Sequence, residues 1–296
     1  MIPMNNLSVS ASTEWLRLIH NVMDEGKEVI SHGQKTLELI GYQSYIYMRH
    51  SITMIPDRKV SLKFMAAEAS WILKGDNKLS TLTPYAPYYE RFSDDGVRLN
   101  GAYGPKVVDQ IGYVVKTLRE DPNSRQAVIN LWRERPGPSR DIPCTLSMQF
   151  MIRDECLECI VSMRSSDAWL GWVYDVFSFS TIARYVVIEY NRQVGNWKSI
   201  LLGDLKITAG SQHLYEKDWT KVEHIMDQEL INSAGFSINY GAHIEKGWPL
   251  HSPGGIETTS DLINSLDEVA NARTDTAAHE LPEWVRYAWE RRYAEE

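Results

Sequence analysis

Apolar residues recur every three or four positions in several stretches of the chain, a spacing typical of helices that bury one face. The first stretch, 15–23, follows Ser12, a residue type that caps helix N-termini. A second, strongly apolar stretch covers about 61–74, and Gly75 is suited to end it as a left-handed cap. Further helices are predicted over about 107–118, 176–190 and 282–293.

The strands are predicted from β-branched and aromatic residues and from alternation of apolar with polar types. They are expected over 36–50, 126–132, 146–152, 157–163 and 200–208, with a turn near Asp154. Residues 85–100 are aromatic and polar without periodicity, so we interpret them as an ordered functional loop. After Gly235 the pattern weakens into loops that contain Pro and Gly. This order of elements, without repeats or a linker, predicts one α+β domain over residues 1–296.

The composition argues against several partners. Of the 296 residues 43% are hydrophobic and 24% charged, and the net charge of −8 gives no general attraction to nucleic acid or anionic membranes. No apolar run has the length of a bilayer span, and the first residues lack the form of a signal peptide. Three cysteines are too few for a disulfide scaffold. We therefore expect a cytoplasmic protein with free thiols and no direct nucleic-acid or membrane partner.

Cys144 follows Pro143 at the start of a predicted strand. A free cysteine is more often a small buried apolar residue than a nucleophile. Arginines precede and follow it, however, and nearby cations lower the pKa of a thiol and populate the nucleophilic thiolate. These arginines are Arg133, Arg135, Arg140 and Arg164. Cys144 is therefore a candidate catalytic nucleophile.

Two arginine-containing pairs are candidates for anion binding. Arg164-Ser165 ends one predicted strand, and Arg125-Gln126 opens another. A guanidinium with neighbouring hydroxyls binds phosphate well, because it supplies several charge-assisted hydrogen bonds in one plane. Surface arginines paired with carboxylates explain the same residues equally well.

Glu68 is the one charged residue within the apolar run 64–73. Burying a carboxylate is costly unless it is paired or protonated. Glu68 is therefore either a structural hydrogen-bond partner or an acid with a raised pKa that relays protons. We favour the second interpretation.

Other candidate residues have ordinary alternatives. Asp175 precedes an apolar helix, where an N-cap is the usual role of aspartate. His213 fits a turn, or else it binds a sugar hydroxyl together with Tyr215, which lies on the same side of an extended segment. Cys156 and Cys159 have the spacing of half a zinc site, but no second pair completes it, so no metal is expected.

In combination these residues resemble the thymidylate synthase family, which includes pyrimidine-nucleotide hydroxymethylases. The resemblance covers roughly residues 12–220. It is carried by the segments 33–37, 68–76, 99–104, 124–125, 143–144, 164–167, 170–171 and 213–215.

The resemblance implies a large mixed β-sheet flanked by helices and a homodimer whose two sheets face each other. It also implies that the Cys144 thiolate adds to C6 of a pyrimidine nucleoside monophosphate. C5 would then take a one-carbon unit from 5,10-methylenetetrahydrofolate. Glu68 would handle protons through ordered water, and Tyr103 would help to remove the C5 proton.

The resemblance assigns the remaining motif residues to the two substrates. Arg164, Ser165, His213 and Tyr215 would bind the phosphate and the ribose, with Arg125 donated across the dimer interface. Asp167, Gly171 and Tyr89 would bind the folate.

Asp175 departs from the pattern of members that methylate uracil nucleotides, which have asparagine there. An asparagine amide accepts from N3–H of uracil and donates to O4, whereas cytosine has an acceptor at N3 and a donor at its 4-amino group. A carboxyl that holds or shares a proton satisfies both groups. The family's deoxycytidylate hydroxymethylases show the same exchange, so Asp175 favours a cytosine nucleotide, with dCMP first.

Further departures concern the phosphate and the folate. Gln126 and Ser31 stand where arginines are usual, so we expect Arg140 or Lys35 to complete the phosphate site. The short C-terminal tail that closes over the folate is replaced by an unfamiliar segment after about residue 225. A changed lid suits attack of water on the methylene, which gives a hydroxymethyl product.

The sequence thus predicts a homodimeric dCMP 5-hydroxymethylase, an activity suited to base modification in a phage genome. Alternatives are a dCMP methylase with tetrahydrofolate as hydride donor, a hydroxymethylase of CMP or dUMP, and a non-catalytic regulator that binds nucleotide or RNA. The joint presence of Cys144, Glu68, Tyr103 and Arg164 argues against the regulator, because a binding protein needs no nucleophile.

Overall fold

A computed structural model describes residues 8–31, 33–133, 137–195, 199–235 and 258–293. Its strands are β1 Lys27–Ser31, β2 Gln34–Tyr47, β3 Val128–Asn130, β4 Thr145–Arg153, β5 Cys156–Asp167 and β6 Leu201–Tyr215. Its helices are α1 Ala11–Glu25, α2 Leu62–Leu73, α3 Leu79–Leu82, α4 Gly104–Glu120, α5 Trp172–Val194, α6 Glu216–Gly235, α7 Thr259–Asn271 and α8 Glu283–Tyr293. The strands form one mixed sheet in the order β1-β2-β6-β5-β4-β3. A mixed sheet flanked by helices is the predicted architecture.

The hairpin of β4 and β5 forms where the sequence predicts it. Its turn contains Asp154 and Glu155 at φ angles of 49° and 60°. β5 then runs parallel to β6. In this register Asp167 lies opposite His213, so two motifs that are far apart in the sequence become neighbours.

The buried helix α5 is central to the core. Trp172, Phe177 and Phe179 on it have no exposed area, and the helix contacts α2, α4, β5 and β6. It begins at Trp172, earlier than predicted. Asp175 therefore lies within the first turn, where its N–H donates to the Gly171 carbonyl at 2.9 Å, and the N-cap alternative is wrong.

The N-cap of α1 differs from the predicted one, whereas the end of α2 agrees with the prediction. Ser10, not Ser12, caps α1, by accepting a hydrogen bond from the N–H of Thr13 at 3.2 Å. The Ser12 hydroxyl instead accepts from the N–H of Met54 at 2.8 Å. The stop of α2 at Gly75 is confirmed, since this glycine has a φ of 69° that other residues rarely adopt.

Other elements differ in extent from the predictions. β2 ends at Tyr47 and is followed by a 3₁₀ turn at Met48–His50. β3 has three residues, and β6 extends to Tyr215, beyond the predicted end at 208. α7 was not predicted, because its segment follows the part of the chain where the apolar pattern weakens. The predicted last helix is confirmed as α8.

One face of the sheet is less buried than the other. In β4 and β5, Phe150 and Val161 are fully buried, whereas the alternating positions Gln149, Met151 and Ile160 are only partly buried. This alternation is typical of a sheet whose second face is not covered by its own helices.

The C-terminal helices pack against the helix that carries Glu68. α7 contacts α2 and α5. Asp267 on α7 accepts from the hydroxyl of buried Ser70 at 2.6 Å and pairs with Lys74 at 2.6 Å. On α8, the ring of Trp284 packs 5.5 Å from that of Phe177.

We expect Asp267→Ala to lower the free energy of unfolding by about 1–2 kcal/mol, because it leaves the buried Ser70 hydroxyl without its acceptor. The ion pair with the half-exposed Lys74 adds little to this loss. Urea unfolding measures the effect. Asp275→Ala is the matched control, because Asp275 is itself exposed and pairs with the highly exposed Arg273. Equal midpoints for the two variants would contradict a role of Asp267 in docking α7.

Candidate active site

Cys144 lies directly before β4, next to Arg164 of the adjacent strand β5. The Arg164 N–H donates to the Cys144 carbonyl at 2.8 Å. The guanidinium donates to the carbonyls of Pro143 and Ile142 at 3.0 Å each, and one of its nitrogens lies 3.7 Å from Cys144 Sγ. The loop before β4 therefore holds a cation beside the thiol.

Burial of the thiol raises the pKa of Cys144, although Arg164 acts to lower it. Asp175, Asp141 and Asp167 raise this pKa further by repelling the thiolate. The predicted net lowering by arginines is thus wrong, because one guanidinium does not outweigh burial and three carboxylates.

Among the other arginines flanking Cys144 in the sequence, the two that the structure describes do not approach the thiol. Arg140 donates to Asp94 and to the Ser93 carbonyl. Arg133 donates to the Asn100 carbonyl at 3.5 Å, and Arg135 is outside the described residues. Arg164 is the member of the predicted set that the fold brings to Cys144.

Tyr103 lies directly before α4, and its hydroxyl reaches the residue after the cysteine. It accepts hydrogen bonds from the hydroxyl of Thr145 at 2.9 Å and from its N–H at 3.3 Å. Burial, followed by repulsion from Asp175 and Cys144, raises the pKa of Tyr103 well above its ordinary value. Tyr103 therefore keeps its proton at neutral pH, and because its oxygen already accepts from Thr145, that proton is free to be donated.

Glu68 on α2 accepts a hydrogen bond from the Tyr89 hydroxyl, with 2.6 Å between Oη and Oε1. Burial raises the pKa of Glu68 to about 7, while this hydrogen bond acts to lower it. Both protonation states of the carboxyl are therefore populated near neutral pH. The raised pKa agrees with the prediction, and the proton-relay role stays a prediction. The contact with Tyr89 was not predicted.

Asp175 lies on α5 near two other acidic groups of the site, Glu68 and Asp167. Burial raises its pKa well above the ordinary value, and the nearby charges of Glu68 and Asp167 raise it further. Among the described residues no side chain or N–H donates to its carboxyl. The raised pKa favours the protonated carboxyl, which has hydrogen-bonding capacity to offer a ligand.

Asp167 and Gly171 shape the loop that leads into α5. The Asp167 carboxylate accepts from the N–H groups of Trp169 at 2.8 Å and Leu170 at 3.1 Å. Burial raises the pKa of Asp167, against the lowering effect of these hydrogen bonds and of His213. A side chain at Gly171 would place its Cβ 3.4 Å from Asp175 Oδ2, so glycine leaves room beside that carboxyl.

His213 and Tyr215 lie on one side of β6, as predicted. Their rings are 5.1 Å apart at 88°, and His213 Nδ1 lies 3.5 Å from the Ser211 hydroxyl. Ser211 lies opposite Ser165 on β5. Hydroxyl and imidazole groups thus extend the site along the sheet from Arg164.

Arg125 does not join this group within its own chain. Its side chain is exposed in the segment before the edge strand β3, and no contact within the described ranges links it to Cys144. Lys35, expected as a substitute phosphate ligand, pairs with Glu28 at 2.8 Å and with Glu216 at 3.8 Å. Neither Lys35 nor Arg140 touches Arg164 in the part of the chain that the structure describes.

Sequence reasoning missed an aromatic wall beside Glu68. The ring of Tyr89 lies 5.0 Å from Tyr88, 5.8 Å from Phe64 and 6.1 Å from Phe92. Phe64 in turn lies 4.7 Å from Tyr174. The density of aromatic residues in 85–92 was the available signal. Flat rings of this kind suit stacking against a pterin.

Arg58 was also missed. Its guanidinium lies 4.5 Å from the centre of the Trp169 ring and donates to the Trp169 carbonyl. The side chain is 6% exposed. Burial lowers the pKa of Arg58, against the attraction of Tyr174, Asp167 and Asp218. No local pattern marks this residue, because the contact joins segments that are 111 positions apart.

Known proteins resemble the chain over most of its length. A model of the thymidylate synthase family matches residues 13–262. The chain belongs to the thymidylate synthase family. Thymidylate synthases of three strains of Coxiella burnetii (Dugway 5J108-111, RSA 331 / Henzerling II and RSA 493 / Nine Mile phase I) are each 24% identical to it over 234 residues. The matched part is 74% of this chain and 88% of each relative.

Membership in the thymidylate synthase family assigns this chain to one-carbon transfer between a folate and a nucleoside monophosphate. The family uses methylenetetrahydrofolate. Within the described ranges, no group of three or more histidine, cysteine or acidic side chains is arranged to hold a metal. No helix among those residues is long and apolar enough to cross a membrane.

Proposed function

We propose that the chain is a cytosine-nucleotide 5-hydroxymethylase, with dCMP as the favoured substrate and 5,10-methylenetetrahydrofolate as the one-carbon donor. The observation that carries this proposal is Asp175, a buried carboxyl whose pKa is raised well above its ordinary value and that accepts no hydrogen bond from the described residues.

A protonated Asp175 is complementary to cytosine. Its O–H donates to N3, and its carbonyl oxygen accepts from the 4-amino group. Uracil presents N3–H and O4 at the same edge. Once the proton has moved onto N3 of cytosine, both carboxylate oxygens accept hydrogen bonds, whereas with uracil one of them would face O4, a second acceptor. A buried polar group left without its partner costs about 1–3 kcal/mol, which is enough to decide between the two bases.

The protonation of Asp175 also helps the nucleophile. Asp175 raises the pKa of Cys144 only when it carries charge. While Asp175 keeps its proton this repulsion is absent, and sharing the proton with N3 makes C6 more electrophilic. Cys144 Sγ then bonds to C6, while Arg164 stabilises the thiolate beforehand. Tyr103, whose hydroxyl is held beside the residue after Cys144, would assist the later loss of the C5 proton.

The raised pKa of Glu68 supports a hydroxymethyl product whose oxygen comes from water. A carboxyl with a pKa of about 7 is a suitable base for a water molecule at neutral pH. The segment after residue 258 folds into helices on α2 and α5. This placement supports a lid that differs from the short tail of the family.

The test is mass analysis of the product formed from dCMP and methylenetetrahydrofolate in water enriched in oxygen-18. A hydroxymethyl product that carries the heavy oxygen is expected. A methyl product with formation of dihydrofolate would instead identify a dCMP methylase. CMP in the same assay distinguishes ribose from deoxyribose.

A second candidate is thymidylate synthesis, which the name of the Coxiella relatives favours. In that case dUMP, and not dCMP, would be converted, and the product would be a methylated nucleotide with dihydrofolate. The same assay with dUMP decides between the two. A chain that binds these nucleotides but converts none would be the regulator that the sequence left as an alternative.

We expect a homodimer in which the sheet faces pack together and Arg125 of one subunit completes the site of the other. The exposed position of Arg125 and the partly buried second sheet face support this arrangement. Arg125→Ala and Cys144→Ala should each be inactive alone. When they are mixed and allowed to exchange subunits, about a quarter of the sites should regain activity, because half the dimers are mixed and each has one intact site. Absence of recovery, with exchange verified by mass spectrometry, would contradict the shared site.

A further inference from the structure

The contact between Tyr89 and Glu68 joins the 3₁₀ turn Pro87–Arg91 to helix α2. The distance from Tyr89 Oη to Glu68 Oε1 is 2.6 Å, typical of a strong hydrogen bond to a carboxylate. Among the described residues nothing donates to the second carboxyl oxygen, Oε2. The carboxyl is therefore held at one oxygen and free at the other.

The Tyr89 ring is fixed in place by its neighbours. Tyr88, Phe64 and Phe92 lie within 6.1 Å of it, centroid to centroid. Such packing restricts rotation of the ring, so the hydroxyl is presented to Glu68 in one orientation. A hydroxyl held in one orientation fixes Oε1 of Glu68 and thereby sets the direction in which Oε2 points.

We propose that Tyr89 is a positioning residue, whose hydroxyl holds Glu68 Oε1 so that Oε2 removes the proton from the water that attacks the C5 methylene carbon. This inference rests on the proposed hydroxymethylation. It gives Tyr89 a role beyond contact with the folate, because the role belongs to its hydroxyl and not to its ring.

The step balances without an oxidant or a reductant. The water oxygen bonds to the exocyclic methylene carbon, and its proton passes to Glu68. The methylene π pair moves into the C4–C5 bond, and the pair of the C4–N3 π bond moves onto N3. The pair on N3 then restores the ring double bonds, the C6–S bond breaks, and Cys144 leaves as thiolate. The product is the 5-hydroxymethyl nucleotide.

The pH dependence follows from the groups that face Glu68. These are Tyr89 and Tyr88 from the loop and Asp175 and Tyr174 from α5. Of them, Tyr89 is the hydrogen-bond donor, and its bond acts to lower the pKa of Glu68. A base works when it is ionised, so the rate rises with pH through this pKa. Loss of the donor should raise the pKa and move the rise to higher pH.

The experiment compares full-length wild type, Tyr89→Phe and Tyr47→Phe with dCMP labelled by tritium at C5. Wild type should form one hydroxymethyl product for each tritium released. Tyr89→Phe should release tritium yet form hydroxymethyl product about 10- to 100-fold more slowly, with the rise moved to higher pH. Tyr47→Phe is the control, because it removes a hydroxyl from an exposed ring at the end of β2 away from His213 and leaves the bond to Glu68 in place. It should behave as wild type.

Two outcomes overturn the inference. One is a Tyr89→Phe protein with the product ratio and pH profile of wild type. The other is an unchanged pH profile for the protein with 3-fluorotyrosine at position 89. This residue keeps the ring and donates a stronger hydrogen bond, so the rise of the rate with pH must move to lower pH. An unchanged profile would reject the positioning role even if Tyr89→Phe fails to fold. A wild type that releases no tritium from dCMP would instead reject the proposed function itself.

Discussion

Replacing Cys144 with serine should lower kcat by at least about 10⁴-fold, the loss typical of removing a covalent nucleophile. A serine hydroxyl is a much weaker nucleophile than a thiolate, and Arg164 beside it cannot ionise it at neutral pH. The nucleotide should still bind, because Arg164 is held by the carbonyls of Pro143 and Ile142 and not only by the thiol. Steady-state kinetics and calorimetric titration of the nucleotide measure the two effects.

Cys156→Ser is the matched control for this substitution. Cys156 is a free, partly buried thiol at the far end of the hairpin, so its variant should keep wild-type turnover. A Cys144→Ser protein that retains turnover within tenfold would remove the covalent mechanism. Loss of nucleotide binding together with turnover would instead show that the thiol is needed to build the site.

Asp175→Asn should reverse the choice of base. We expect kcat/KM for dCMP to fall by about 10²- to 10⁴-fold, because an amide has no acidic proton to share with N3 of cytosine and so does not activate C6. The rate with dUMP should rise at the same time, since the amide accepts from N3–H and donates to O4. Parallel kinetics with both nucleotides measure the ratio.

The two nucleotides serve as internal controls for Asp175→Asn. A variant that is merely unstable would lose activity with both, whereas a change in base recognition raises one and lowers the other. Wild type that prefers dUMP would overturn the reading of Asp175 and support thymidylate synthesis. Removal of a buried acid should also not destabilise the fold, because no described donor depends on that carboxyl.

Local patterns predicted much of the fold. The helix around Glu68 and its stop at Gly75, the hairpin around Asp154 and the last helix are confirmed. Each depends on periodic burial or on a turn within a few residues, which a sequence displays directly. The predictions were weaker for β3 and α7, because a short edge strand and a docked helix are stabilised by neighbours that lie elsewhere in the chain.

The candidate site was likewise predicted in part from the sequence. The residue types and their order indicated a nucleophile, an arginine, a buried acid and an aspartate before a helix, and the match to the thymidylate synthase family agrees with that set. The roles of the individual residues stay predictions. What the structure adds is their mutual distances: Arg164 against Cys144, and Tyr103 against Thr145.

Local sequence patterns could not predict the direction in which each pKa is shifted. The sequence showed arginines near Cys144 and predicted a lowered pKa, yet burial and three converging carboxylates raise it. Likewise, the bond from Tyr89 to Glu68 joins positions 21 residues apart on different elements. Electrostatic balance depends on burial and on distances between such segments. Chain order and residue type therefore predicted which groups this protein brings to the reaction, and packing of distant segments set their charges.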